Sequence, residues 1–203
     1  MKTNLLYKTA AVGVAALLLG SAGTALASAA DGEPDSHGVD VNVEVTPIDD
    51  QGVLALSVAG STATLSENGS DELVRQFTGT LPTVTVTDTR TADQVPDGAF
   101  WTVLGSATDF TKSGGGEAIS ASNLGWVPTL LQGDGESFIS VGDDVAAEVD
   151  GGRGLVDEEL LYLADSADAV GGTWSANADL KLRLPADVAP GSYSSVLTLS
   201  LFE

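Results

Sequence analysis

The stretch "ADLKLRLPADVAPGSYSSVLTLSLF" (residues 178–202) holds two alternating runs around a corner. Leu180, Leu182 and Leu184 take one face of the first run, and Lys181 and Arg183 take the other. Leu197, Leu199 and Leu201 repeat the rule in the second, flanked by Val196 and Phe202. A period of two sends successive side chains to opposite faces of an extended chain. Strands that are half buried and half wet belong to antiparallel sheets. Pro185, Pro190 and Gly191 mark the turn between the runs. Tyr193 opens the last strand, with its hydroxyl placed to bond back across the corner, as in many sandwiches. The pattern predicts a terminal hairpin in which 197–201 pairs with 180–184.

The same alternation recurs upstream. Val39, Val41, Val43 and Val45 alternate with Asp40, Asn42 and Glu44. Leu54, Leu56 and Val58 alternate with Ala55 and Ser57, and Val84 and Val86 with threonines. One segment departs from this period. In "LVDEELLYLADSADAV" (155–170), Val156, Leu160, Leu163 and Val170 recur near helical spacing. The run of acids at 157–159 suits a helix start, where negative charge is favoured. The expectation is an all-β antiparallel sandwich, Greek-key, immunoglobulin-like or jelly-roll-like, with one short helix around 155–170.

The first residues have the character of an export signal. Lys2 and Lys8 precede the apolar "AAVGVAALLLG" (10–20), and "ALA" (25–27) is a small-residue cleavage site. Such a run is short for a membrane span. The reading is a signal peptide over 1–27, cleaved after Ala27 with Ala29 as the other choice, then a flexible segment over 28–38 and one domain over 39–203. No transmembrane segment is expected after cleavage. The chain has no cysteine, which excludes a disulfide framework, a thiolate metal site and a lipid-modified cysteine.

Charge narrows the partners. Losing residues 1–27 removes Lys2 and Lys8, leaving 6 basic against 29 acidic residues, a formal charge of −23. Nucleic acid is a poor partner for such a surface. An anionic membrane or wall polymer would repel it at long range, but physiological salt screens this over roughly 8 Å and leaves short-range contacts open. Solubility outside the cell is the plain reading of the charge.

Catalytic constellations are missing from the pattern. The one histidine, His37, lies in the segment before the first strand, so no triad forms around it. No P-loop or zinc-helix motif occurs. The expectation is a non-enzyme without a cofactor. Asp134, Glu136, Asp143 and Asp144 sit in glycine-rich turns and are candidate calcium ligands. The spaced calcium loop is absent, and solvated turns are the favoured reading. Three tryptophans remain as candidate binding platforms: Trp101, Trp126 and Trp174. Packing is the commoner fate of this residue. Trp126, in the glycine-bordered "NLGWVP", is the one expected to be exposed.

Several stretches, taken in order, resemble the WxL-domain family of secreted surface proteins of Gram-positive bacteria. They are "FTGTLPTVTVTDTRT", "WTVLGSATDFT", "AISASNLGWVPTLL" and "WSANADLKLRLPADVAPGSYSSVLTLSL". The resemblance spans roughly residues 39–203. It places the family's first Trp-x-Leu motif at Trp101, Thr102 and Val103, with valine for leucine. The second falls at Leu199, Ser200 and Leu201, with leucine for tryptophan. It implies non-covalent attachment to the cell wall through peptidoglycan, and assembly beside other surface proteins. Two expectations follow: a cell-wall-associated binding protein, and as the alternative an assembly module that holds a surface protein through a strand edge or apolar patch. Apart from the resemblance, the abundance of carboxylates leaves a secreted hydrolase using two of them as the least favoured reading.

Overall fold

The computed structural model describes residues 51–132 and 137–203. The export signal, the 28–38 segment with His37, the 39–45 run, and Asp134 and Glu136 lie outside the described residues. The described chain is all-β, and its helical content is limited to three-residue 3-10 turns. Among these residues no helix is long and apolar enough to cross a membrane.

Twelve strands form in chain order: β1 (Leu54–Val58), β2 (Ser66–Glu67), β3 (Val74–Thr80), β4 (Val84–Asp88), β5 (Phe100–Ala107), β6 (Thr111–Lys112), β7 (Leu124–Gln132), β8 (Ile139–Val141), β9 (Glu159–Asp165), β10 (Gly172–Pro185), β11 (Tyr193–Ser194) and β12 (Leu197–Phe202). Every pairing is antiparallel. The first sheet is organised on β10. β7 runs along one of its edges; β3 and β4 together run along the other. β3 and β4 behave as one long strand broken at Pro82, which has no N–H to give a ladder. Residues 81–83 there oppose residues 177–178, so the break carries one extra residue and bends the row. β1 and β2 form the outermost row, on β4 and β3 respectively.

The second sheet runs β12-β5-β9-β8, and β11 and β6 form a small separate ribbon. The two main sheets face one another across a core made by their inward positions. Val84, Val86, Trp174, Ala176, Ala178, Leu180, Leu182 and Leu184 come from the first, and Trp101, Val103, Tyr162 and Ala164 from the second. Rings lock the middle. Trp101 meets Tyr162 edge-on at 5.2 Å and Trp174 at 6.0 Å, and Phe138 meets Trp174 at 6.2 Å. Such pairs add about 0.5–1.5 kcal/mol each beyond their buried area. The Tyr162 hydroxyl donates to the Val84 carbonyl at 3.3 Å in the opposite sheet, and burial pushes its phenol up.

Two sequence expectations are corrected. Residues 159–165 are a strand, not part of a helix. In the β5–β9 ladder Tyr162 pairs with Val103 and Leu160 with Leu104, so Leu161 is an extra, bulged residue. The bulge sends consecutive Leu161 and Tyr162 into the core, both fully buried. That break in the period of two produced the helical spacing. The second correction concerns the last strand. β12 pairs with β5, Leu201 opposite Val103, and not with β10. The corner carries the chain across to the other sheet. The corner itself is as expected, with Tyr193 Oη donating to the Ala189 carbonyl at 2.8 Å.

Candidate functional site

The three tryptophans are all core residues. Trp101 is 0%, Trp126 1% and Trp174 5% exposed. The expectation that Trp126 is exposed is therefore overturned: it lies within β7, not in a loop. Its indole reaches across to the second sheet and rests on Gly105 of β5. A Cβ at Gly105 would stand 2.6 Å from the Trp126 ring. The bare backbone of a glycine is the hole into which this side chain packs. With its ring faces covered, none of the three offers a platform to a sugar in this conformation.

The two motif-like stretches are brought together. Val103 is fully buried, and Leu199 and Leu201 are half-buried on the neighbouring strand; Leu199 stands opposite Gly105. Leu199 Cδ2 therefore lies beside the same glycine that receives Trp126. Asp143 and Asp144 are exposed, and among the described residues no group of three or more histidines and carboxylates converges as a metal site would need.

What the fold leaves open lies between β1 and β12. β1 pairs only with β4 and β12 only with β5, so each presents an edge without a ladder among the described residues. The first sheet curls until β1 approaches β12. At one end this seam is closed by charge. Arg90 forks between the fully buried Asp88 carboxylate, at 2.7 Å, and the Glu203 carboxylate, at 2.7 and 2.8 Å. The Arg90 guanidinium, through its hydrogen bonds, holds the Glu203 carboxyl below the usual glutamate range. Its own pKa is raised by Asp88 and then Glu203.

At the other end the seam widens into a cleft of about 940 Å³. Its floor is apolar, with Phe77, Leu81, Leu182 and Leu184 from the first sheet and Leu197 and Leu199 from the second. Hydroxyl groups of Ser61, Thr62, Thr64, Ser192, Ser194 and Ser195 line the mouth. Two cations flank it: the Arg75 guanidinium lies 5.2 Å over the Phe77 ring, and Lys112 Nζ lies 5.8 Å from the Tyr193 ring. Val196 stands at the mouth, 64% exposed. The sequence reading flagged Leu199 of this cleft but missed the rest. Its parts come from stretches scattered between Val58 and Leu199, and alternation alone does not say which inward faces find an opposite face.

An apolar trough bordered by an unpaired strand edge can accept an extended peptide. The edge offers main-chain hydrogen bonds, and the trough takes alternate side chains. Compared with protein-family models, curated proteins and solved structures, the chain matches none of them.

Proposed function

We propose that this protein is an exported, non-catalytic surface module that holds another polypeptide as a strand laid into the seam between β1 and β12. The observation that carries this reading is the cleft of about 940 Å³ between two strand edges that have no ladder partner among the described residues. Added strands gain affinity from the edge and specificity from the side-chain trough. The surface charge is compatible with a protein partner outside the cell and works against a polyanionic wall. The resemblance to WxL-domain proteins supports the surface location. Burial of all three tryptophans removes the stacking chemistry that favoured direct wall binding.

The test uses the intact exported chain and a fluorescently labelled nine-residue peptide with alternating valines, read by anisotropy. Saturable binding is expected, and Val196→Asp, a change at an exposed position, is expected to weaken it at least tenfold. Sedimentation with purified peptidoglycan runs in parallel. No peptide binding at any concentration up to the millimolar range sinks this reading. So does sedimentation with the wall that Val196→Asp leaves unchanged, which would return the function to wall binding.

A further inference from the structure

Resting on the strand-acceptor reading, we infer that the Arg90–Glu203 pair is the stop that sets how long a strand the seam receives. The two ends of the seam differ. β1 starts at Leu54, beside Asp88, and runs to Val58; β12 starts at Leu197 and runs to Phe202, next to Glu203. The cleft is lined by Val58 of β1 and by Leu197 and Leu199 of β12, whereas Leu54 and Phe202 lie at the fork end and outside it. The open row thus extends from Ser195, at the mouth, to Leu199. That is about 17 Å of edge at roughly 3.3 Å per residue. Past Leu199 the seam narrows until Arg90 meets Glu203 across it. A strand laid on β12 gains ladder hydrogen bonds only where the edge is free, so its useful length ends there.

The bonds of the fork are divided as a releasable stop requires. Asp88 is satisfied without Glu203. Its carboxylate accepts from the Arg90 backbone N–H at 2.9 Å, from Nε at 3.0 Å and from Nη2 at 2.7 Å. Arg90 Nη1 is left for Glu203, at 2.7 Å, and Nη2 is shared with it at 2.8 Å. Releasing Glu203 therefore frees the end of β12 without leaving a buried carboxylate alone. The Arg90 half of the pair is pinned. The Val53 N–H donates to Thr89 Oγ1 at 2.9 Å, and the Thr89 N–H donates to the Val53 carbonyl at 3.0 Å. The Glu203 half is the movable one. Its side chain is 25% exposed against 0% for Asp88, so water can replace Arg90 at Glu203 and not at Asp88. With the pair open, Ser200, Leu201 and Phe202 extend the free row by about 10 Å.

The experiment compares the intact exported chain with its Glu203→Ala variant, which keeps Arg90 on Asp88; circular dichroism checks that the fold is retained. Labelled alternating-valine peptides of five and nine residues are titrated by anisotropy. On the wild type the two lengths are expected to bind within about twofold of each other. On Glu203→Ala the nine-residue peptide is expected to bind at least fivefold tighter than on the wild type, and the five-residue peptide to be unchanged. Glu203→Gln, which retains an acceptor for Arg90, is expected to fall between. Amide hydrogen exchange over residues 200–202 gives a second readout. It is expected to quicken in free Glu203→Ala and to be slowed again by the nine-residue peptide alone. A nine-residue affinity left unchanged by Glu203→Ala overturns the inference, whether or not exchange quickens. So does a wild type that already binds nine residues more than fivefold tighter than five. Either result leaves the seam a strand acceptor. Failure of both peptides to bind either protein sinks that reading instead.

Discussion

Single residues decide how the two sheets meet. Gly105 exists as a glycine because the Trp126 ring occupies the space its side chain would need. Arg90 is the other such residue, since it neutralises an Asp88 carboxylate that has no exposure of its own. An ion pair of this kind contributes little net stability against a well-packed apolar replacement. Removing only one partner is different, because a buried charge is left alone. Arg90→Ala is expected to destabilise the fold by about 3–5 kcal/mol, read as a lowered denaturant midpoint. Glu203→Gln, which keeps Arg90 on Asp88, is expected to have a smaller effect.

At the scale of elements, β9 separates two readings of one segment. A helix over 155–170 would bury Val156 and expose its opposite face. The bulged strand buries Leu161, and Val156, in the bend before the strand, is half exposed to solvent, at 50%. Leu161→Ala is therefore expected to cost about 2–5 kcal/mol, and Val156→Ala to lie within about 0.5 kcal/mol of wild type, both by chemical denaturation. This contrast explains what was legible in the sequence. Strands such as β4, β10 and β12 were legible because their alternation is unbroken and reports one buried face. β9 was not, because a single inserted residue shifts its phase, and the shift has meaning only beside the β5 ladder. The pairing of β12 was illegible for a related reason. Leu180, Leu182 and Leu184 match Leu197, Leu199 and Leu201 equally well across a hairpin or across a sandwich, and turn residues do not distinguish the two. Trp126 was misplaced because a glycine-bordered, proline-containing stretch resembles a loop, whereas Pro128 here sits within β7 opposite Ala178. The apolar floor of the cleft was invisible, since it depends on which inward faces the second sheet fails to cover.

For the whole molecule, acid is the informative variable. Arg90 lowers the Glu203 carboxyl, Arg75 lowers Glu67, the backbone amides of Leu73 and Val74 lower Asp71, and the Thr91 hydroxyl lowers Asp93. A carboxyl held below its unfolded value contributes its stability above that value, about 4.5 for glutamate, and loses it as pH falls through the folded one. Stability is therefore expected to be flat from neutrality to about pH 5 and to decline below about pH 4.5. Urea midpoints across that range check this, and Glu203→Gln is expected to flatten part of the decline.

The Arg90 fork also bears on how the domain would respond to being pulled. Gly52 packs directly on the Arg90 backbone, and Glu203 is bonded to the Arg90 side chain, so Gln51 and Glu203 leave the sandwich side by side. Tension between those two points falls first on the fork. It then peels β1 from β4 starting at Leu54, and β12 from β5 starting at Phe202, one rung at a time. Rungs loaded singly yield at far lower force than a ladder sheared along its length. A domain joined to its neighbours through these two points would open like a zip under flow, exposing its apolar trough as it did so.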